Sequence, residues 1–292
     1  MSTVQANTDF GNTVDRLIDL SISTYYNPYT HFEWPASLDE EQMWMSPDLM
    51  TAFDTPFIER LSRSQLMKLS KWESINFYSL NIHGIRELLI EVIRRIHSPG
   101  YEEQSEFFHH FIGEENEHMW FFARFCLKYG KKIYADKTAK TDIDNLEPDL
   151  QTFLVFSRIV IFEEIVDYFN SRMGKDDTLH PLIQRINSVH HQDESRHVAF
   201  GRQLIKQLHA RLSDTYPKER MMELAGYLRR YIEVSLNSLY NPAVYKDAGI
   251  EEPYQFRRAL LEHPNRKKHH DIFLKRTMQF LDKSGIVPEE TL

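Results

Sequence analysis

The sequence predicts an all-α chain, a four-helix bundle core with additional helices at its N- and C-terminal ends. Three observations carry that prediction. Only 10 glycines occur in 292 residues, and alternating β-branched runs are few, so strand signals are sparse. Long apolar-periodic stretches are bounded by Pro and Gly. Two of those stretches hold a Glu and a His three residues apart, Glu115 with His118 and Glu194 with His197, a spacing by which bundle helices present metal ligands inward.

Taken in order, residues 1–13 are polar and read as a flexible N-terminus, leaving 14–292 as a single domain. Thr13 to Ser23 forms a short helix on Val14, Leu17, Ile18 and Leu20. Tyr25 to Pro35 packs aromatics between prolines as a wrapping segment without regular structure. A long helix runs from Leu61 to His97 on Trp72, Phe77, Leu80, Leu88 and Ile93. Ser98-Pro99-Gly100 turns the chain into a helix from about Glu102 to Tyr129, with Gly130 as its C′ residue. Its aromatic side, Phe107, Phe108, Phe111, Trp120, Phe121 and Phe125, reads as core. Residues 131–148 read as a crossover. A very apolar helix then spans Asp149 to Met173, and the fourth long helix starts near Pro181 and continues to about Arg211. Helices at 218–240, 254–262 and 267–283 complete the chain.

Composition excludes several classes. With 41% hydrophobic and 13% aromatic residues the chain has a sizeable core and is not disordered. A net charge of −8 and a pI near 6.0 offer no footprint for nucleic acid or an anionic membrane surface. One cysteine, Cys126, excludes an intrachain disulfide and suits a reducing, cytoplasmic compartment. No apolar run approaches the ~20 residues of a membrane span, and the N-terminus lacks a signal-peptide pattern.

The chemistry concentrates in Ser188-Val-His-His-Gln-Asp-Glu-Ser-Arg-His197. His190, Glu194 and His197 stand at i, i+4 and i+7, within roughly 60° of arc on one helix face. A single Glu-x-x-His on a charged helix is usually surface. Here there are two, and each follows a helix that carries a glutamate: Glu163, 31 residues before Glu194, and Glu87, 28 residues before Glu115. Glu163 is flanked by Val160-Ile-Phe162 and Ile165-Val166, and burying an unpaired carboxylate costs several kcal/mol, so it needs a partner. Glu91, one turn after Glu87 on nearly the same face, is the alternative for the first carboxylate. This twofold repeat is the ligand set of a carboxylate-bridged dimetal site. Oxygen-rich ligation with two imidazoles suits iron or manganese. Asp193 and Glu114, each directly before a ligand glutamate, can accept the remaining ring N–H of the opposite histidine. His190 either joins the ligands or hydrogen-bonds beside them. His191, about 100° off the stripe, reads as structural, and Glu164 as solvated or supporting. His109, His110 and the run Lys267-Lys268-His269-His270 read as solvated faces or interhelix hydrogen bonds.

At these residues the sequence resembles the AurF-type di-iron N-oxygenases, the family of p-aminobenzoate N-oxygenase. The likeness extends to Tyr25-Tyr-Asn-Pro, Trp34-Pro35 and Tyr240-Asn-Pro-Ala-Val-Tyr-Lys-Asp-Ala-Gly249, and so covers about residues 20 to 285. The resemblance implies a ferritin-like four-helix bundle and a metal set of four glutamates and three histidines: Glu87, Glu115, His118, Glu163, His190, Glu194 and His197. It implies two iron ions, O2 as oxidant, and oxidation of a substrate amine to hydroxylamine, nitroso or nitro in secondary-metabolite biosynthesis. Electrons come from an external reductase or ferredoxin, since no Gly-x-Gly-x-x-Gly fingerprint is found, and a homodimer is reasonable. The family's substrate-orienting polar residue has no clear match; Tyr168 stands near that position. Two other readings compete. One keeps the metals in a ferritin-like hydroxylase, desaturase or ribonucleotide reductase radical subunit. The other is an iron-storing or structural bundle, which would show no substrate-dependent O2 consumption.

Overall fold

The computed structural model describes residues 3–136, 143 and 145–288, with side chains from Phe10 onward. Its helices are α1 (Thr3–Ser23), α2 (Pro28–His31), α3 (Arg63–Ile93), α4 (Ser105–Phe125), α5 (Pro148–Met173), α6 (Pro181–Thr215), α7 (Lys218–Ser238), α8 (Pro242–Asp247), α9 (Pro253–Glu262) and α10 (Pro264–Lys283). No strand occurs among the described residues.

Local chemistry explains most boundaries. Ser62 and Gln65 form a reciprocal capping box at the start of α3. Proline occupies the first turn of α5, α6, α8, α9 and α10, where its missing N–H costs nothing. Asn241 and His263 accept backbone N–H groups at the starts of α8 and α10.

Three expectations change. Of the segment 1–13, read as a flexible N-terminus, the described part from Thr3 onward is helical and belongs to α1. Phe10 is buried against Phe200, with ring centroids 5.6 Å apart, which anchors α1 to α6. The wrapping segment contains one short helix, α2, capped by Asn27. Gly130 is not the left-handed residue after α4. The chain leaves α4 through a π-turn, Cys126–Gly130, and Lys131 takes φ 57°. Gly130 is needed for close approach instead, since a Cβ there would lie 2.8 Å from Ile75 Cδ1 on α3. The crossover after it falls partly outside the described residues.

Helices α3 to α6 form the bundle core. Helices α3 and α4 are antiparallel: Tyr78 stacks on Phe122 at 4.9 Å, while the far end brings His97 N–H to Ser105 Oγ at 2.9 Å. Helices α4 and α6 are also antiparallel, because His118 meets Asp193 and Glu114 meets His197. Thus α3 and α6 run parallel. Between α3 and α5, Gly84 lets the backbones approach, as a Cβ would sit 2.3 Å from the Phe162 ring. Helices α7 and α10 pack on α5, α8 packs on α3, and α1 covers α4 and α6. Among the described residues no helix is long and apolar enough to cross a membrane.

Candidate metal centre

The Glu-x-x-His segments of α4 and α6 face each other at mid-bundle. Glu115, His118, Glu163, His190, Glu194 and His197 are all buried. Their donor atoms fall into two groups whose members lie within 4.8 Å of one another. One contains Glu115, Glu163, Glu194 and His197; the other contains His118, His190 and Glu194. Glu194 belongs to both, so it would be shared by metals held in the two groups. His118 Nδ1 is 3.4 Å from Glu194 Oε1 and 3.6 Å from Glu115 Oε2. His197 Nδ1 is 2.7 Å from Glu115 Oε1 and 3.3 Å from Glu194 Oε2, and His190 Nε2 is 2.9 Å from Glu194 Oε1.

The outward side of each imidazole is held. His118 Nε2 meets Asp193 Oδ2 at 3.1 Å and His197 Nε2 meets Glu114 Oε2 at 2.8 Å, the crosswise pairing that the sequence spacing suggests. His190 Nδ1 meets the Asn170 side chain. The atom that faces it is Asn170 Nδ2; a metal on Nε2 would put the His190 proton on Nδ1 and require the amide to turn its partnerless oxygen toward it. The carboxylate contacts hold the proton of His118 and of His197 on the outward nitrogen, so that Nδ1 of each points inward to the cluster.

The inward atoms are orphans. Among the described residues, His118 Nδ1, His190 Nε2, His197 Nδ1, both Glu115 oxygens, Glu163 Oε1 and Glu194 Oε2 make no hydrogen bond of proper geometry, although several lie close together. Six buried side chains aiming unpaired N and O donors at one point have no favourable explanation as a hydrogen-bond network. They fit divalent transition-metal ions, whose charge would replace the missing partners. Without such ions the cluster shares protons. Burial, then the neighbouring Glu194 charge, pushes Glu163 well above the carboxylate range. Burial also opposes charge on Glu194, but His190 and His197 prevail and hold it well below. For His118 and His197, burial disfavours the cation and is outweighed by the carboxylates around each ring, so both are raised.

Glu87 does not join the cluster. Its side chain is 47% exposed and pairs with its neighbour Arg86. Glu91, 27% exposed, is held by Arg94 and Arg95. Both lie on the outward face of α3, so no carboxylate of that helix reaches the centre. Glu164 turns away from it too: Arg202 Nε donates to Oε1 at 2.6 Å and Thr277 Oγ1 to Oε2 at 2.8 Å. Tyr168 faces α10, its ring 5.0 Å from that of Phe273. His191 binds Asp167. His270, 2.7 Å from the Tyr240 hydroxyl, and His269, 3.3 Å from Asp54, tie α10 to connecting segments rather than to another helix.

Three supporting residues were not anticipated. Arg196 Nη2 lies 2.7 Å from both Glu114 and Asp193, joining the two carboxylates that hold the histidines. A basic residue three after Asp193 was the available signal. Tyr26 OH donates to Asp193 Oδ2 at 3.2 Å, and Asn170 holds His190; neither contact has a local sequence signature. A cleft of ≈ 590 Å³ opens between α5, α6 and α10. Glu164 and Val198 line it, each the residue directly following a cluster member, while Asp167, Lys175 and Arg276 make its wall polar.

Similarity to known proteins agrees with this geometry. The chain is 21% identical to uncharacterized proteins of Mycobacterium tuberculosis and Mycobacterium bovis over 248 residues, 82% of this chain and 70% of theirs. Among solved structures, an R2-like ligand-binding oxidase variant with an anaerobically reconstituted Mn/Fe cofactor superposes with TM-score 0.52 at 14% identity, covering 94% of this chain and 93% of that one. An aerobically reconstituted variant gives TM-score 0.52 at 16% identity, covering 98% and 97%. These likenesses establish a ferritin-like helical bundle. The sequence profile described as P-aminobenzoate N-oxygenase AurF matches residues 7–285, and the chain therefore belongs to the AurF family.

Proposed function

We propose that the protein is a non-haem di-iron N-oxygenase that uses O2 and two external electrons to oxidise a substrate amine. The observation that carries this is the third inward imidazole: His190, held by Asn170, adds a ring nitrogen beside the shared Glu194. Glu115, Glu163, Glu194, His118, His190 and His197 would hold the metals, which when bound would activate O2. The first turnover balances as amine, O2, two electrons and two protons giving hydroxylamine and water. Since the chain has no dinucleotide fingerprint, the electrons are assigned to a separate reductase or ferredoxin.

The chain's own residues have three tasks in this reading. Asp193 and Glu114 keep the proton on the outer nitrogens of His118 and His197. Phe111, with its ring 4.3 Å from that of His197, and Phe121 and Phe122, 5.5 Å from His118 and 4.8 Å from His190, exclude water from the imidazoles. Asn170 keeps His190 beside the shared Glu194. The test is anaerobic iron loading, addition of a chemical reductant and O2, and mass analysis of a panel of arylamines and amino acids. A gain of one oxygen on nitrogen supports the proposal. Oxygen inserted only at carbon would replace it with the hydroxylase reading.

One observation favours a second reading, a centre that oxidises a tyrosine. The Tyr26 hydroxyl is two hydrogen bonds from His118 Nε2, the outward nitrogen of that ring, through Asp193. A tyrosyl radical signal after aerobic loading that disappears in Tyr26→Phe would favour it.

A further inference from the structure

We infer that Asn81 occupies the corner of the bundle left without a carboxylate, and that its side-chain oxygen faces the His118–His190 metal position. This rests on the dimetal reading above. Asn81 is fully buried on α3. Its Nδ2 donates to the Phe77 carbonyl at 2.8 Å, and because that carbonyl can only accept, the amide orientation is fixed. The remaining atom, Oδ1, is buried and has no hydrogen-bond partner among the described residues.

Register gives its level from two directions. On the parallel helices α3 and α6, Asn187 Nδ2 donates to the Tyr78 hydroxyl at 2.7 Å; three residues further along each helix stand Asn81 and His190. On the antiparallel helices α3 and α4, Tyr78 stacks on Phe122; one turn forward from Tyr78 and one turn back from Phe122 bring Asn81 level with His118. Asn81 therefore sits at the height of the two histidines grouped with Glu194, where Glu115 reaches His118 alone, while the other position has Glu115, Glu163 and Glu194 with His197. A neutral amide oxygen is a competent ligand for a hard divalent ion but brings no charge. The consequence is two unequal metal positions, one tight with three carboxylates and one weak with fewer, Glu194 and the near oxygen of Glu115.

The test is an anaerobic titration of the full-length apoprotein with ferrous iron, read by calorimetry and by metal retained after gel filtration. The wild-type chain should show two binding steps and retain about one ion through gel filtration, the weak position having released its own. Asn81→Asp, which keeps the shape and adds a charge, should tighten the weak step by roughly tenfold or more, and Asn81→Leu should weaken it by a similar factor, with the strong step unchanged in both. Circular dichroism confirms that each variant is folded. Two steps that neither folded variant alters would overturn the role of Asn81 while leaving the dimetal reading in place. Two equal steps in the wild-type chain would overturn the asymmetry. No binding step at all in the wild-type chain would remove both.

Discussion

His118 Nε2 lies 3.1 Å from Asp193 Oδ2, and the same arrangement recurs across the bundle with His197 and Glu114. Each carboxylate directly precedes a glutamate of the cluster, so each helix positions the histidine of its partner. Asp193 and Glu114 are held below the usual carboxylate range: burial raises both, but the facing histidine and Arg196 outweigh it. Asp193→Asn and Glu114→Gln should each reduce metal affinity by roughly 10- to 100-fold with the fold intact. Competition with a coloured chelator measures this, and unchanged affinity in both variants would mean that the pairing is only structural.

Arg196 holds those two carboxylates together in a nearly dry site. Replacing it with Ala leaves two buried negative charges without their cation, a loss of about 3–5 kcal/mol. Arg196→Ala should therefore lower the thermal midpoint by far more than Arg86→Ala, whose exposed pair contributes about 0–1 kcal/mol. Parallel thermal melts decide it.

Away from the centre, Glu73 predicts how stability depends on pH. It is fully buried, accepting the Thr51 N–H at 3.0 Å and the Thr51 hydroxyl, with Tyr245 beyond. Burial, only partly offset by Thr51 and Arg266, pushes it from 4.5 up to about 7. The folded chain thus holds a proton that the unfolded chain has lost. Between about pH 4.5 and 7 the folded state binds more protons, so this group makes stability fall as pH rises, by on the order of 3 kcal/mol across the window. Denaturant melts of wild type and Glu73→Gln should differ in slope over that range, with the decline reduced in the variant; identical slopes would contradict the assignment.

Glu87→Ala and Glu91→Ala should leave metal content unchanged, because both side chains point to solvent and arginine. Loss of a metal ion in either variant, measured by elemental analysis, would contradict the outward placement.

The contrast between Glu163 and Glu87 shows how far the chain's own pattern reaches. Glu163 lies in a helix so apolar that its carboxylate had to be satisfied inside, and the structure places it there. Helix α3 is different: Glu73, Ser74, Asn76, Ser79 and Asn81 are all buried, so polarity does not distinguish its inner from its outer face. Glu87, or Glu91 as its alternative, is the carboxylate that the spacing offers, while the buried polar side chain at the level of the histidines is the amide of Asn81. The Glu-x-x-His pairs and their crossed partners were readable because each is encoded within four residues. Tyr26 meets Asp193 from 167 residues away, a contact that depends on how the N-terminal segment wraps the bundle.

The central claim is that these six buried side chains hold a dimetal centre. Equilibrium dialysis of the apoprotein against excess ferrous iron under anaerobic conditions tests it most directly. Wild type should bind about two ions per chain and Glu163→Ala no more than about one. Fewer than about one ion bound by wild type, or full occupancy in Glu163→Ala, would contradict it.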